Sequence, residues 1–266
     1  MSTRMSNDLL TDLYRQQLLW TAAHYDLAVK KERIRSVMEL ENYFIRLCNV
    51  VQPEIFIEAG AHDGKLSGRM RRYLKTAHIL AFEANPENYS AHKDAKHIQG
   101  LNIEYINKAL SDKAGTLDFN ILEDGRGHAD KQGSLISRAE DTSSRSVSVE
   151  AVRMDEYVTP GSGSVGIWID VEGASGQVLR GMEKLLPDVS VMFIEVEDRH
   201  YWENQWLARD VTSFLLEHGL RPIARDYQSR YQHNMIFVSE ATLRKDIVQH
   251  VMSERASLVG QKVTKL

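Results

Sequence analysis

The sequence predicts an α/β fold of the doubly wound, Rossmann-like class, with a mostly parallel sheet of seven strands. From Pro53 onward, short apolar runs alternate with amphipathic segments, which is the pattern of strands joined by helical crossovers. The middle runs are almost continuously apolar, as expected of strands that helices cover on both faces. The last two runs are too close for a helical crossover and should form an antiparallel hairpin at one edge of the sheet.

The composition is that of a globular protein with a substantial core. Its 266 residues are 42% hydrophobic and 26% charged, with a net charge of −4 and a pI near 6.2. No apolar run reaches the ~18 residues of a membrane span, and we expect no secretory signal in the opening residues. The one cysteine, Cys48, cannot form an intrachain disulfide and fits a reducing cytoplasm. The acidic balance predicts no nucleic-acid partner.

Two helices are expected before the sheet, in an N-terminal extension of residues 1–52. The first runs from Asp8 to about Asp26. The second begins at a capping box formed by Ser36 and Glu39, after which apolar residues repeat at three- and four-residue spacing. These helices should pack against the sheet domain or against a second copy of the chain, which leaves room for a homodimer.

The sheet domain is predicted to span residues 53–240. Its seven strands are, in chain order, EIFIEAG, HILAFEA, NIEYINKAL, VGIWIDVEG, VSVMFIEVE, RPIARDY and HNMIFVS. Segments such as GQVLRGMEKLL and ARDVTSFLLEHG have the apolar spacing of helices, and Gly219 closes the second as a C-cap. Residues Glu123–Arg145 are polar and rich in glycine and serine, which predicts a surface excursion that can cover a site. A helical tail of residues 241–266 follows.

The turn after the first strand, in IFIEAGAHDGKLS, has the chemistry of a nucleotide-binding turn but lacks the full dinucleotide fingerprint. Gly60 can take a positive φ and let a ligand approach the backbone, and Gly64 lets the next helix begin close by. Ala61, His62 and Asp63 occupy the space that a pyrophosphate needs. A nucleoside ligand without phosphates is therefore favoured.

An acidic residue ends the second strand, where a ribose-binding carboxylate belongs. Glu83 lies 25 residues after Glu58, close to the ~20-residue separation expected for a carboxylate that accepts ribose hydroxyls. The glycine turn and Glu83 lie at consecutive strand ends. Together they favour a ligand site over ordinary turn chemistry.

The sequence also resembles the FkbM family of S-adenosylmethionine-dependent methyltransferases. Five segments keep the order of the family's motifs: FIEAGAHDGKLS, ILAFEANPENY, INKALSDKAGTLDF, WIDVEGASGQVLRGM and HNMIFV. The resemblance runs from about Pro53 to Ser239, and the IDVEGA…VLRGM block is its most specific part. It implies that S-adenosylmethionine is the cofactor and that the acceptor is a hydroxyl of a sugar, a glycan or a secondary metabolite.

The resemblance implies a set of cofactor contacts in this chain. Glu83 would bind the ribose. The methionine end would be held by four residues of the first turn, Glu58, Gly60, Ala61 and Gly64. Two residues after the third strand, Asn107 and Ala109, would lie near the adenine.

The catalytic reaction is expected where the fourth central strand ends, at Asp170 and Glu172. The alternation of side chains along a strand places these two residues on the same side of the chain. Two carboxylates beside a cationic sulfonium suit a site that positions a hydroxyl and accepts its proton. We therefore predict methyl transfer to oxygen, with Asp170 or His200 as the base and Glu172 orienting the acceptor. Asp170, Glu172 and Glu195 can also be pictured as a metal cluster, but the spacing demands none and no metal is predicted.

Structural roles are the alternative for each of these residues. Asp170 can cap the following helix, Glu172 can pair with an arginine, and His200 can be a packed or solvent-facing histidine. Trp202, Trp206, Tyr201 and Tyr231 are candidates for a platform that stacks on a sugar ring, although aromatic residues more often lie in the core.

Three other functions share parts of this pattern. An NAD-dependent oxidoreductase would have the sheet and the ribose acid, but it should also have G-x-G-x-x-G on the first turn. A non-catalytic methyltransferase-like domain would bind a partner through its N-terminal helices. An RNA methyltransferase is disfavoured because no basic, aromatic-rich stripe is present.

Overall fold

The computed structural model describes residues 25–122, 133–137 and 144–263. The predicted helix at Asp8–Asp26 lies outside these residues except for its last two positions. Most of the predicted excursion at Glu123–Arg145 also lies outside them.

The described residues contain eleven strands and eight α-helices. The strands β1 to β11 are Ile55–Ala59, His78–Phe82, Ile103–Ile106, Ala109–Leu110, Gly115–Leu122, Gly133–Ser134, Ser144–Val152, Val165–Ile169, Val189–Glu197, Leu220–Arg225 and Gln232–Ser239. The helices α1 to α8 are Lys30–Val51, Lys65–Arg71, Pro86–His92, Met154–Tyr157, Ser175–Gly181, Ala208–Glu217, Glu240–Leu243 and Asp246–Val263. A 3₁₀ helix at Glu183–Asp188 precedes β9. No helix among the described residues is both long and apolar enough to cross a membrane.

The main sheet has seven strands in the order β10-β11-β9-β8-β1-β2-β3. The pairs β9-β8, β8-β1, β1-β2 and β2-β3 are parallel, whereas β11 runs antiparallel to both β9 and β10. This confirms the predicted doubly wound sheet with its antiparallel edge hairpin. Chain order reverses between β1 and β8, so a ligand site is expected beyond their carboxyl ends.

Helices cover both faces of this sheet. One apolar cluster joins the sheet to α5, α6 and the 3₁₀ helix. A second cluster joins the other face to α1, α2 and α8. Beneath α1, Trp168 stacks on Phe193 with ring centroids 3.5 Å apart. Phe44 of α1 meets both rings edge-on at 5.7 and 5.6 Å, which anchors the helix over β8 and β9.

Helix α1 begins at Lys30, so the prediction of a capping box at Ser36 and Glu39 is wrong. Ser36 is buried within the helix, where its hydroxyl donates to the Arg33 carbonyl at 2.7 Å and accepts from the Tyr227 amide at 3.2 Å. Glu39 accepts a hydrogen bond from the Tyr25 hydroxyl at 2.6 Å. Both side chains serve tertiary contacts instead of a helix start.

A second, four-stranded sheet was not predicted. Its order is β4-β7-β5-β6, and β5 pairs with β7 in antiparallel register from Gly115 to Leu122. It has a small core of its own that includes Phe119, Ile121 and Val149, and Ala84 at the end of β2 packs against that core. The second sheet therefore lies beside the carboxyl end of β2, where the ligand site is expected.

Candidate functional site

A cleft lies at the carboxyl ends of β1, β2 and β8, beside the point where chain order reverses. The cleft is partly open to solvent. Its polar lining includes His62, Glu83, Asn85, Asn88, Asp170 and Glu172. Its apolar lining includes Phe82, Ala109, Leu110, Phe119 and Leu135.

The first turn brings three strands together at the floor of the cleft. The amides of Gly60 and Ala61 donate to the Phe82 carbonyl at 3.0 and 2.8 Å, and the Asp170 amide donates to the Ala59 carbonyl at 2.9 Å. Gly60 has a φ of +83°, and a Cβ at this position would lie 1.8 Å from the Asp170 carbonyl oxygen. Only glycine fits here without moving the backbone.

The carboxylate of Glu58 does not line the cleft. It is buried and accepts hydrogen bonds from the Ser67 amide at 2.9 Å and from the Ser67 hydroxyl. Burial raises the pKa of Glu58 to about 8, and the two bonds from Ser67 oppose that rise. Asp63 accepts from the Lys65 amide at 3.1 Å. The chain's own carboxylates thus occupy amide groups at the start of α2 that a phosphate would use.

Ala61 and Gly64 shape the first turn from outside the cleft lining. The Gly64 amide donates to the Ala61 carbonyl at 2.7 Å. A Cβ on Gly64 would lie 2.8 Å from Cδ1 of Ile98, so this glycine lets α2 start close to the segment before β3.

Glu83 lines the cleft and organises the loops on either side of it. Its carboxylate accepts from the amides of His62 and Asn85 at 2.7 and 2.8 Å, and from the Asn88 side chain at 3.4 Å. Burial raises the pKa of Glu83, while these hydrogen bonds favour its ionised form. A carboxylate offers about four acceptor positions. A further position is therefore available for a ligand hydroxyl.

The two residues predicted near the adenine lie in different settings. Ala109, in β4, lines the cleft. Asn107 does not; its side-chain amide donates to the carbonyls of Glu83 and Ala84 at 2.8 and 3.3 Å. Asn107 therefore fixes the end of β2 that presents Glu83.

Acidic side chains meet where β8 and β9 end. Ile169 pairs with Ile194, so the residues that follow them, Asp170 and Glu195, stand on neighbouring strands. One carboxylate oxygen from each of Asp170, Glu172 and Glu195 lies within 4.8 Å of the others. Glu172 has a φ of +44°, a left-handed conformation that is rare outside glycine and is often found at functional sites.

Burial raises the pKa of two members of this acidic group, Asp170 and Glu195. It raises the pKa of Asp170 to about 6, with the charge of Glu41 on α1 adding to the shift. It also raises the pKa of Glu195, to which the charges of Asp170 and Glu172 contribute. Gln232 donates to Glu195 at 2.8 Å and opposes that rise. A carboxyl group with a pKa near 6 can exchange a proton close to neutral pH.

The structure does not bring His200 into the cleft lining. His200 is exposed in the loop after β9. The predicted aromatic platform is not formed either, since Trp202 is buried and approaches Gly173 so closely that a Cβ there would lie 2.2 Å from its ring. Tyr201 and Tyr231 instead contact the Arg199 guanidinium, at 4.7 and 5.5 Å from their ring centroids. Trp206 packs against Arg180 and Phe214.

Several lining residues were not identified from the sequence. His62, Asn85 and Asn88 surround Glu83, while Phe119 and Leu135 come from the second sheet and the segment after β6. The alternation of apolar and polar residues in TLDFNIL and SVSVEAV was the signal for that sheet. The described part of the predicted excursion thus supplies the outer wall of the cleft.

The cleft suits the phosphate-free cofactor that the sequence resemblance implies. Glu83, Asp170 and Glu172 give it an acidic lining, which favours the positive sulfonium and ammonium groups of S-adenosylmethionine. Apolar side chains give it a wall for an adenine ring. Its one lining lysine, Lys108, is held by Glu150 with Nζ 2.5 Å from the carboxylate, and no arginine is among the described lining residues. A pyrophosphate would find no matching charge.

The comparisons with known proteins agree with this chemistry. A family model described as "Methyltransferase FkbM domain" matches residues 58–222. A curated protein, 2-O-methyltransferase NoeI of Sinorhizobium fredii, is 25% identical over 193 residues, which cover 68% of this chain and 78% of NoeI.

Several methyltransferases are among the solved structures that resemble the chain. Methyltransferase FkbM from Methylobacillus flagellatus is 13% identical with a TM-score of 0.44; the match covers 70% of this chain but only 44% of that protein. Magnesium protoporphyrin IX methyltransferase (ChlM) from Synechocystis, solved with bound SAM, is 13% identical with a TM-score of 0.45. That match covers 90% of this chain and 100% of ChlM.

Proposed function

This chain belongs to the FkbM methyltransferase family, and from that premise we propose that it methylates a hydroxyl group of a sugar, a glycan or a secondary metabolite. The family's cofactor is S-adenosylmethionine, which supplies a methyl group on a positively charged sulfur. The observation that supports the proposal is the lining of the cleft. The lining is acidic, and the amides at the start of α2 that could bind a phosphate are bonded to the chain's own carboxylates.

We assign cofactor binding to the residues around the first two strand ends. Glu83 accepts hydrogen bonds from the ribose hydroxyls, in the acceptor position that its protein partners leave. Gly60 lets the methionine end approach the backbone, and Ala109 borders the adenine. Three other residues act indirectly by shaping these positions: Glu58, Gly64 and Asn107. Ala61 acts in the same way, through its hydrogen bond to the Gly64 amide.

Asp170 is the proposed base. An alcohol is a weak nucleophile until its proton begins to leave, so a carboxylate in contact with the acceptor hydroxyl assists attack on the methyl group. A pKa near 6 leaves Asp170 mostly ionised at neutral pH, and a neighbouring sulfonium would favour ionisation further. Glu172, on the same side of the cleft, orients the hydroxyl. Alignment of the two reacting atoms contributes as much as the base does.

An oxygen acceptor is supported by the chemistry of the site and by the name of one relative. Paired carboxylates are suited to accept a proton from a hydroxyl group, and NoeI, 25% identical, is a 2-O-methyltransferase. A sugar hydroxyl is therefore the first acceptor to test.

The test is methyl transfer from isotopically labelled S-adenosylmethionine to a panel of glycans, read by mass spectrometry. Asp170→Asn should lower turnover by about 10²-fold or more while the variant still binds the cofactor. His200→Ala, a change at an exposed residue outside the cleft lining, should leave turnover within about twofold. Asp246→Asn, at an exposed position on α8, is the matched control. Unchanged turnover in Asp170→Asn would remove its proposed role.

Two rival functions predict different results. An NAD-dependent oxidoreductase would be stabilised against heat by NAD, whereas this site should respond to S-adenosylmethionine and not to NAD. A non-catalytic binding domain would bind S-adenosylmethionine without consuming it in the presence of any acceptor. The homodimer through the N-terminal helices stays a prediction, and light scattering of the purified chain tests it.

A further inference from the structure

A second cavity lies apart from the cofactor cleft, between the start of α1 and the turn that joins β10 to β11. It has a volume of about 400 Å³ and is lined by Leu27, Arg33, Arg225, Tyr227, Ser229 and Arg230. We call these six residues the arginine pocket. Three of them are arginines, whereas the cofactor cleft has an acidic lining. The two cavities therefore suit ligand groups of opposite charge.

The arginine pocket forms no ion pair within the described part of the chain. No carboxylate oxygen of those residues lies within 4.0 Å of the Arg33, Arg225 or Arg230 guanidinium. The neighbouring acid, Asp226, is 1% exposed, and its two oxygens accept from the backbone and side-chain amides of Asn234 at 2.9 and 2.8 Å. The charge of Arg225 opposes the rise that burial causes in the pKa of Asp226, so it is offset in part. Guanidinium groups that form no ion pair around a cavity attract an anion.

Arg33 carries a donor that the described part of the chain leaves unused. Its Nη1 donates to the carbonyls of Leu27 and Ala28 at 3.1 and 3.4 Å, which holds the guanidinium in place. Its Nε is buried and has no hydrogen-bond partner among the described residues. A buried N–H group without an acceptor costs free energy. An acceptor on a ligand in the pocket would recover that cost.

The two walls of the pocket are held in fixed positions. Ser36 links them, because its hydroxyl contacts the Arg33 carbonyl on α1 and the Tyr227 amide on the turn. The turn itself is braced by the Asp226–Asn234 bonds and by the Ser229 amide, which donates to the Gln232 carbonyl at 3.0 Å. A site built in advance loses little conformational entropy when a ligand binds.

The pocket lies at the same end of the strands as the proposed methyl-transfer site. Arg225 ends β10, and Asp170 follows β8, with β11 and β9 between them. Three strand spacings of about 4.8 Å place the two positions roughly 14 Å apart across the sheet. An acceptor that occupies both sites must span at least that distance.

We propose that the arginine pocket binds a phosphate or sulfate group of the methyl acceptor, an inference that rests on the proposed function. Guanidinium forks match the oxygens of phosphate and sulfate in pairs. A tetrahedral oxyanion presents oxygens in enough directions to meet three arginines at once, whereas a carboxylate presents two in one plane. The Arg33 Nε adds a donor from a further direction.

The test is calorimetric titration of the full chain with inorganic phosphate, sulfate and acetate, against chloride at equal ionic strength and without a methyl donor. Phosphate and sulfate should bind saturably, and acetate at least about tenfold more weakly. Arg225→Gln and Arg230→Gln should each weaken phosphate binding by about tenfold or more. Arg72→Gln, at the exposed arginine that follows α2, should leave it unchanged. Since Arg230 is exposed, its variant should fold normally even if Arg225→Gln does not.

Phosphate binding no stronger than chloride binding would overturn the proposal. Equal losses in Arg72→Gln and Arg230→Gln, or acetate binding as tight as phosphate binding, would also overturn it. The result is separable from the proposed function because no methyl transfer is measured. If phosphate binds as expected but no acceptor is methylated, the proposed function fails alone. If methylation proceeds but phosphate does not bind, only the proposal of anion binding in the arginine pocket is rejected.

Discussion

Replacing Gly60 with alanine tests how closely the first turn approaches the strand that ends at Asp170. A suitable control is Gly100→Ala. Gly60 and Gly100 have φ values of +83° and +72°, so the two substitutions share the same backbone penalty. They differ in space: a Cβ on Gly60 would lie 1.8 Å from the Asp170 carbonyl oxygen, and one on Gly100 meets nothing within 4 Å.

The magnitudes follow from these two contributions. An alanine in the left-handed region costs roughly 1–2 kcal/mol, and we expect that loss of unfolding free energy in Gly100→Ala. Overpacking typically adds about 1–3 kcal/mol. For Gly60→Ala the upper end applies, because the obstructing atom belongs to the backbone of a central strand and cannot rotate away. The expected loss is therefore about 4–5 kcal/mol, by adding the two contributions.

Urea denaturation of the two variants and the unmodified chain measures this difference, provided that the slope of free energy against urea stays constant. Binding of S-adenosylmethionine gives a second measurement, since the added methyl group displaces Asp170 at the floor of the cleft. Gly60→Ala should bind more weakly, and Gly100→Ala should bind as the unmodified chain does. If Gly60→Ala and Gly100→Ala lose the same unfolding free energy, within about 0.5 kcal/mol, then Gly60 does not lie as close to the Asp170 carbonyl as the structure has it.

Two further predictions concern buried acids. Burial raises the pKa of Glu58 from 4.5 to about 8, so the folded protein keeps a proton that the unfolded chain releases. Its contribution to stability is present below pH 4.5 and is lost as the pH rises through 8. Glu58→Gln, which cannot ionise, should flatten the decline of the melting temperature between about pH 5 and pH 8, and an equally steep decline would contradict the assignment. Glu83→Gln should weaken S-adenosylmethionine binding by about 10- to 100-fold, with Glu87→Gln, an exposed acid on α3, as the control; unaltered affinity would mean that Glu83 does not touch the ligand.

The main sheet could be predicted because its strands are buried on both faces. Continuous apolar runs such as those of β8 and β9 are a direct consequence of that burial, and their order along the chain sets the parallel topology. The positions of Gly60, Glu83 and Asp170 at strand ends followed from the same reasoning. The second sheet was not predicted because its strands are half-exposed, so β5 and β7 contain no continuous apolar run of the kind that marks the main sheet.

The direction of individual side chains could not be predicted. Glu58 and Glu83 both end apolar runs, yet Glu58 turns toward Ser67 and Glu83 turns toward the cleft. Glu58 turns away from the cleft because the start of α2 places the Ser67 amide beside it. The position of that helix relative to the strand depends on tertiary packing, which the local sequence does not show. Ser36 shows the same limit, because its spacing to Glu39 fits a helix start while its hydroxyl is used to join α1 to Tyr227.

The second sheet has a consequence for how this scaffold tolerates change. Its small apolar core is distinct from the two clusters that hold the main sheet together. Sequence changes in β5 or β7 can therefore alter the wall that this sheet gives the cleft while the packing of the central strands stays the same.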